Sequence, residues 1–562
     1  MRKLLSHSNL LVWLLSLTCI SVVKAQTPFH DITYIDVNNI RAAASLHGDL
    51  WHSWTPTGPD AGCEFPKGSG KHIAFAGSLW MAGFDKAQQL RGAATTYRSA
   101  GQEYWPGPLQ GSDTAITYVE SEKWARIWKI SRSDIQAFLA QTAHTVNNTP
   151  RDILEWPAKG NINAVGRNLA ALTITDDMAP FVDVDNNGVY NALQGDYPAL
   201  KGDQMLWFVF NDNGPVAHNE ITFTPATGIE IKAMVYGYNN GSLLNNVLFY
   251  EYELRNTQQD LDSFIVGTFA DMDLGYAHDD YIGFDSSRNM GYTYNGDPID
   301  GTGLPTEYGD SLPIAGIRFL EFPGNSCSTK NAMGSFMYFN SNTSNIAQGA
   351  PTNGSEMYNY LKHTWRDSTP LRTWSSGRVI FDNGYGGFGK PVKYVYNSDP
   401  HTSAWNECTT LHPGGDRRFV MGAEPIQFLK GSTMKLSFAL VAADRAKNNG
   451  CPFVKITSLQ EISDSAQSAF CNPQIQGISD EFSVPGQLSF FPNPFGDKLQ
   501  VDQAGLDGAT LILYSMSGQK IDLPQHLNGS TLSMETASLR PGTYMLVLQT
   551  RNGRKSGLVV KQ

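Results

Sequence analysis

Two clusters of acidic residues have the residue types and the spacing that bind a hard cation. The first, residues 183–198, places oxygen-bearing side chains at alternate positions before a glycine. Ca²⁺ takes six to eight oxygen ligands, and a short loop of this kind can wrap around it. Aligned with an EF-hand loop, Asp183, Asp185 and Asn187 occupy positions one, three and five, Gly188 takes the turn, and the carbonyl of Val189 follows.

The end of this loop departs from the EF-hand pattern. Position twelve is Gln194 instead of a bidentate glutamate, and Asp196 would replace that glutamate. We therefore predict a Ca²⁺ site with the ligands Asp183, Asp185, Asn187, Val189, Gln194 and Asp196. The alternative is a turn rich in Asp and Asn that binds no ion.

The second cluster, Asp271 to Asp285, has five carboxylates within fifteen residues. Carboxylates this dense repel one another unless they are solvated or share a cation. We predict a second cation site formed by Asp271, Asp273, Asp279 and Asp280. Two alternatives stay open, an acidic loop without an ion and a general acid/base pair of the kind that glycosidases use.

The start of the chain has the pattern of an export signal. Arg2 and Lys3 precede the apolar segment Leu10–Ile20, and Val23–Ala25 is a cleavage site of small residues. The apolar segment is shorter than the roughly 20 residues that span a membrane. We expect cleavage after Ala25 and an exported protein without a transmembrane segment.

Composition agrees with an extracellular β-protein. The chain has 42 basic and 53 acidic residues, a net charge of −11 that disfavours binding to nucleic acid or anionic lipid. Its 53 glycines, 29 prolines and 11% aromatics indicate strands joined by many turns. The predicted fold class is mainly β, a multi-domain antiparallel β-sandwich architecture with a few short helices and a small C-terminal Ig-like β-sandwich.

Apolar segments at intervals of about ten residues predict the main strands. They are Met205–Phe210, Ile229–Tyr238, Val247–Asn256 and Ser263–Asp271. Phe419–Leu429 and Met434–Ala443 predict a hairpin with its turn at residues 430–432.

Two helices are predicted. One spans Ser131–Leu139, and a capping box at Ser458–Glu461 opens the other. The second helix would bury one face, made of Leu459, Ile462, Ala466 and Ala469.

Five cysteines remain after the signal, and an odd number leaves at least one thiol free or linked to another molecule. They are Cys63, Cys327, Cys408, Cys451 and Cys471. Cys451 and Cys471 flank one short helix and are the predicted pair.

The tryptophans of the N-terminal region fill a core or, alternatively, stack on sugar rings.

These features divide the chain into five parts. Residues 1–25 are the signal peptide, and 26–210 are a tryptophan-rich region that ends in the first acidic loop. Residues 211–475 are a β-sandwich region closed by a short helix, 476–486 are a linker, and 487–562 are a C-terminal domain.

The C-terminal motifs resemble the type A sorting domain of the type IX secretion system of Bacteroidetes. They include Phe491–Phe495, Leu511–Gly518, Leu539–Leu546 and Gly557–Lys561. Ser515, where an acidic residue or Asn is usual, and the additional Gln562 depart from the pattern. The matching motif residues are Pro492, Asn493, Pro494, Gly518, Gly542, Tyr544 and Lys561.

This resemblance implies an Ig-like sandwich that an outer-membrane translocon recognises and a sortase-like peptidase often removes. It places the protein outside the cell or on its surface, reached through the periplasm. Residues Asn39 to Cys471 resemble an uncharacterised family of such exported proteins, mainly around Gly188–Tyr190, Gly195–Pro198, Asp271–Gly275 and Gly291–Asn295.

Two classes of function stay open for the large region. The first is a non-catalytic adhesin, matrix or glycan-binding protein that Ca²⁺ stabilises, with an extracellular glycan or protein as its partner. The second is a secreted hydrolase that uses carboxylates to cleave polysaccharide or protein. The sequence has no His-Glu-x-x-His and no Gly-x-Ser-x-Gly motif, so we favour the first class and assign no catalytic residue.

Overall fold

The structure is a computed structural model. It describes residues 32–55, 58–98, 101–109, 115–341, 343, 345–373, 382–472, 490–491, 494–502, 509–515, 520–521, 523–528, 531–550 and 553–562. The predicted signal peptide (residues 1–25) and linker (476–486) lie outside these residues. None of the described helices is both long and apolar enough to cross a membrane.

Strands dominate the described residues. In chain order they are β1 Ile32–Ile35, β2 Arg41–Ser45, β3 Asp49–Leu50, β4 His52–Thr55, β5 Gly58–Ala61, β6 Cys63–Glu64, β7 His72–Ala74, β8 Ala76–Phe84, β9 Leu90–Ala93, β10 Trp105–Pro106, β11 Trp128–Ser131, β12 Phe181–Val182, β13 Tyr197–Pro198, β14 Gln204–Asn211, β15 Ile229–Gly237, β16 Val247–Asn256, β17 Leu261–Asp271, β18 Asp280–Asp285, β19 Met290–Asn295, β20 Ser311–Glu321, β21 Ser335–Asn340, β22 Arg417–Gly422, β23 Ile426–Phe428, β24 Thr433–Lys447, β25 Phe490–Phe491, β26 Lys498–Asp502, β27 Thr510–Ser515, β28 Lys520–Ile521, β29 Gln525–Asn528, β30 Thr531–Glu535, β31 Gly542–Thr550 and β32 Gly553–Lys561.

The helices are short, except for the last. They are α1 Tyr118–Trp124, α2 Arg132–Leu139, α3 Arg151–Leu154, α4 Gly354–Leu361, α5 Glu407–Thr410 and α6 Thr457–Cys471, and 3₁₀ turns occur at Arg167–Leu169, Ala192–Gln194, Leu243–Asn246 and Ile346–Gln348.

Two large antiparallel sheets contain most of the described strands before the C-terminal domain. The eleven-stranded sheet has the order β21-β22-β17-β8-β3-β2-β6-β7, with β1 beside β2, β9 beside β8 and β23 beside β17. The nine-stranded sheet has the order β10-β14-β15-β16-β24-β20-β19-β18, with β11 beside β14. The mainly β, antiparallel fold class predicted from the sequence is confirmed.

The nine-stranded sheet is covered on both faces. In β14, Leu206, Phe208 and Phe210 belong to a core shared with the eleven-stranded sheet. The alternating residues Trp207 and Val209 point into a second core, to which α6 also contributes. A strand that is buried on both sides reads as a continuous apolar segment, which is why residues 205–210 lack polar positions.

Each large sheet contains strands from both predicted regions, residues 26–210 and residues 211–475. Asn211 is the last residue of β14, which pairs with β15, and β8 pairs with β17. The boundary therefore falls inside a strand, and the two regions form one sandwich. Trp51, Trp80 and Trp128 are among its largest fully buried side chains, so these tryptophans fill the core.

The predicted strands β14 to β17 are confirmed, as are both helices. Ser131 caps α2 in a capping box with Asp134. The predicted capping box of the last helix is wrong, because α6 begins at Thr457 after Ile456, without a side-chain cap. The predicted apolar face of α6 is buried.

The predicted hairpin before α6 is wrong. Its first half forms β22 and β23, which pair with β17, whereas β24 pairs with β16 and β20. The turn at residues 430–432 thus carries the chain from one sheet to the other. Alternating apolar residues give each strand an inward face but do not identify its neighbour.

The predicted disulfide between Cys451 and Cys471 is also wrong. The structure joins Cys327 to Cys471 and Cys408 to Cys451, and Cys63 is free and buried. The 15-residue helix α6 separates Cys451 from Cys471 and is about 22 Å long. Bridged Cα atoms lie only about 4.4–6.8 Å apart, so the short segment between Cys451 and α6 would have to run back along most of the helix to bring Cys451 to Cys471.

The C-terminal residues form a small sandwich. Its sheets have the orders β25-β26-β30-β29 and β28-β27-β31-β32. Leu511, Leu513, Leu546 and Leu548 are buried in one core, as their alternation in the sequence predicts.

Candidate cation sites and C-terminal motifs

The first acidic loop is closed at its base by a two-stranded ladder. Phe181 pairs with Pro198, and Val182 pairs with Tyr197. Between these strands, one carboxylate oxygen each from Asp183, Asp185 and Asp196 lies within 4.8 Å of the others. The structure thus brings together three of the side chains that we predict as ligands.

Backbone amides hold two of these carboxylates in place. Asp183 accepts a hydrogen bond from the Gly188 amide at 2.7 Å, and this amide lowers the pKa of Asp183 below its ordinary value. The buried Asp196 accepts from the amides of Val184 and Asn191, both at 2.8 Å. The loop is therefore ordered around negative charge by its own backbone.

The remaining predicted ligands of this loop make local contacts. Asn187 Oδ1 accepts from the Val189 amide at 2.7 Å, and Gln194 Oε1 accepts from Asn191 Nδ2 at 2.8 Å. Asn187 Nδ2 also donates to Asp185 Oδ2 at 2.8 Å, so this side chain contacts one of the three carboxylates. Ligation by Asn187, Gln194 and the Val189 carbonyl stays a prediction.

The second group lies where β17 ends and β22 begins. One carboxylate oxygen each from Asp271, Asp273 and Asp416 lies within 4.8 Å of the others. Asp271 is the last residue of β17 and pairs with Arg418 of β22. Asp416 is not among the ligands predicted from the sequence, because only this strand pairing brings it to Asp271. Its position after Pro413-Gly-Gly415 and before a strand is the available signal in the sequence.

Arg418 and Tyr97 also contact this group. Tyr97 donates its hydroxyl to Asp271 Oδ2 at 2.5 Å. Arg418 lies 3.3 Å from Asp271 Oδ2 and 2.8 Å from Asp416 Oδ1. Asp271 Oδ1 and Asp273 Oδ1 are buried and accept no hydrogen bond from any described donor.

Burial makes charge costly for these carboxylates. It raises the pKa of Asp271 to about 6, and together with the charge of Asp271 it raises the pKa of Asp273 well above its ordinary value. A buried carboxylate keeps its charge only near a compensating positive charge. The single guanidinium of Arg418 does not balance three carboxylates.

Asp279 and Asp280 are adjacent to this group but outside it. Asp280 Oδ2 accepts from the Leu274 amide at 3.0 Å, and Asp279 Oδ2 accepts from the Gly301 amide at 2.8 Å. Burial raises the pKa of Asp279 to about 7 and that of Asp280 well above its ordinary value. Their roles as ligands stay predictions.

The acid/base alternative for the second acidic cluster stays a prediction. Two surface cavities of about 380 and 430 Å³ lie elsewhere, one beside Asp85 and Lys430 and the other beside Arg288 and the Cys327–Cys471 disulfide.

The C-terminal motifs meet in the folded domain. The Phe495 amide donates to the Val560 carbonyl at 2.7 Å, and Lys561 Nζ donates to the Gly496 carbonyl at 2.7 Å. Gly542 pairs with Lys561 across the sheet, and the Tyr544 hydroxyl donates to the Arg540 carbonyl at 2.8 Å. Pro494 is exposed, whereas Pro492, Asn493 and Gly518 lie outside the described residues.

Comparison with known proteins identifies the C-terminal domain. No curated protein matches the chain. Among solved structures, a polysaccharide lyase aligns with 63% of this chain at 10% identity and a TM-score of 0.17, and the aligned part spans 39% of the lyase; we infer nothing about activity from so low a similarity. Residues 489–562 match the family described as the secretion system C-terminal sorting domain. They are the sorting domain of a type IX secretion system, and the protein is therefore exported to the cell surface or the extracellular space.

Proposed function

We propose that the large sandwich acts outside the cell as a non-catalytic binding or matrix protein that Ca²⁺ stabilises. The observation that carries this proposal is the convergence of Asp183, Asp185 and Asp196 in a loop that backbone amides already order. Three carboxylates within 4.8 Å repel one another, and a bound divalent cation would remove this repulsion.

The export signal supports the proposed location. A sorting domain at residues 489–562 directs the preceding sandwich out of the cell, where Ca²⁺ is abundant enough to occupy sites with dissociation constants of about 10⁻⁴–10⁻³ M. The partner that this proposal implies is an extracellular glycan or protein. Loops that join the strands of the sandwich are the places where such a partner would bind.

Thermal unfolding with and without Ca²⁺ tests the cation site. A ligand that binds only the folded state at about 100 times its dissociation constant adds roughly 2.7 kcal/mol to the free energy of unfolding. We expect the melting temperature to rise with Ca²⁺ and to fall with a chelator. Asp185→Ala should abolish most of the gain due to this loop, whereas Asp176→Ala, an exposed aspartate just before the loop, should keep it.

Two results together would reject the site. One is a melting temperature that chelator leaves unchanged, and the other is a crystal structure grown in Ca²⁺ that shows no density between these carboxylates.

A further inference from the structure

We propose that Asp271, Asp273 and Asp416 form a second divalent-cation site, of the oxygen-liganded type that Ca²⁺ prefers, which joins the end of β17 to the start of β22. One oxygen from each carboxylate already lies within 4.8 Å of the others. This proposal goes beyond the stabilisation of the loop at residues 183–196 and does not depend on that loop.

The strongest observation is a pair of carboxylate oxygens that lack a donor. The Asp271 side chain is only 1% exposed, yet its Oδ1 accepts no hydrogen bond from the described part of the chain. Asp273 Oδ1 is in the same situation. Buried polar atoms in proteins are nearly always paired, and a carboxylate oxygen that lacks a protein donor is well suited to ligate a cation.

The charges of the group lead to the same conclusion. Three carboxylates face one guanidinium, that of Arg418, which lies within 3.3 Å of Asp271 and 2.8 Å of Asp416. Tyr97, the other side chain that contacts Asp271, is a neutral donor. With all three carboxylates ionised, the group has two more negative than positive charges, and one divalent cation would balance them.

The pairing of β17 with β22 provides a frame for the site. Asp271 and Arg418 are paired in the register of two neighbouring strands, so the positions of the ligands follow from the sheet. Asp273 and Asp416 are less deeply buried than Asp271, so they form the side of the group that is nearer to solvent. Asp280 Oδ2 accepts from the Leu274 amide, next to Asp273.

Asp273→Asn in the full chain is the most direct test. Asparagine has nearly the same shape but no charge, and this change leaves the partners of Arg418 in place. We expect Asp273→Asn to bind one Ca²⁺ ion per chain fewer than the wild type at saturating Ca²⁺, measured by equilibrium dialysis and elemental mass spectrometry. Asp416→Asn is a second variant at the same site with the same expected loss.

Stability measurements separate a cation ligand from a merely structural residue. In chelator, Asp273→Asn should melt at or above the wild-type temperature, because it removes one of three like charges; in Ca²⁺ it should melt below the wild type. Asp203→Asn is the matched control, since Asp203 is a half-buried aspartate paired with Arg132 at 2.5 Å, and it should not change the bound Ca²⁺.

The proposals for the two cation sites can be tested separately. Asp185→Ala should remove only the ion of the first loop, so a protein that loses an ion with Asp273→Asn but not with Asp185→Ala would retain this proposal alone. Unchanged Ca²⁺ content in both Asp273→Asn and Asp416→Asn, with a lower melting temperature in both buffers, would overturn it.

Discussion

At the scale of single residues, Glu407 and Arg417 form a deeply buried ion pair. Glu407 and Arg417 are 0% and 4% exposed, and Arg417 Nε lies 2.7 Å from Glu407 Oε1. Glu407 Oε2 also accepts from the Ile282 amide at 2.7 Å. Because a lone charge in such a place is far more costly than a pair, each partner depends on the other.

Glu407→Gln should therefore lower the free energy of unfolding by about 3–5 kcal/mol, since it leaves the Arg417 charge buried without a counter-ion. Urea unfolding measures this loss. The control is Glu424→Gln, which breaks the solvent-exposed ion pair with Lys393 and should cost at most about 1 kcal/mol. Equal losses in the two variants would contradict this account.

Glu220 gives the fold a dependence on pH. Burial raises its pKa from an ordinary value of 4.5 to about 7, so the folded state binds this proton more tightly than the unfolded state does. The stability due to Glu220 is thus fully present below pH 4.5 and is lost as the pH rises through about 7. Across this pH range the wild type should lose roughly 1–3 kcal/mol of unfolding free energy that the Glu220→Gln variant does not lose. The measurement is the difference in unfolding free energy between wild type and variant across this range; a constant difference would refute it.

At the scale of elements, the two disulfides fasten α6 and its neighbourhood to distant segments. The Cys327–Cys471 bridge closes a separation of 144 residues, and Cys408–Cys451 closes one of 43. In the chain-entropy model, these loops correspond to about 5 and about 4 kcal/mol. The bridge at Cys471 holds the last residue of α6.

Peptide mapping under non-reducing conditions should find these two linkages and a free Cys63. Cys63 is fully buried, and burial raises its thiol pKa, so an alkylating reagent should label it only after unfolding. Cys327→Ala with Cys471→Ala should lower the free energy of unfolding by up to about 5 kcal/mol. Recovery of a Cys451–Cys471 peptide would show that the pairing in the structure is incorrect.

Strand positions were predictable, and strand neighbours were not. Val247–Asn256 was predicted with its observed bounds, because local alternation and turns determine where a strand begins and ends. The partner of β23, by contrast, depends on which sheet the chain enters after residue 422. Asp416 was missed for the same reason, since its proximity to Asp271 exists only through the pairing of β17 with β22.

At the scale of the whole molecule, sorting is separable from folding. Among the described residues, none after Phe470 belongs to or packs against the cores of the large region, and the C-terminal sandwich has a core of its own. Deleting the sorting domain should therefore spare the fold of the large region and abolish its export.

A chain truncated before Pro485 should accumulate in the periplasm, because it lacks the element that the translocon recognises. Fractionation and immunoblotting measure where it is found. Both disulfides should still form in the retained protein, which separates a loss of export from a loss of folding. Normal levels of the truncated protein in the medium would disprove the role of the sorting domain.

The double-sided burial of the nine-stranded sheet has a consequence for cooperativity. Neighbouring residues of one strand, such as Trp207 and Phe208, belong to different cores, so loss of either core exposes one face of the same sheet. Neither core can melt while the other persists intact. The large region should behave as a single thermodynamic unit despite its length, and a substitution in one core changes the stability of both.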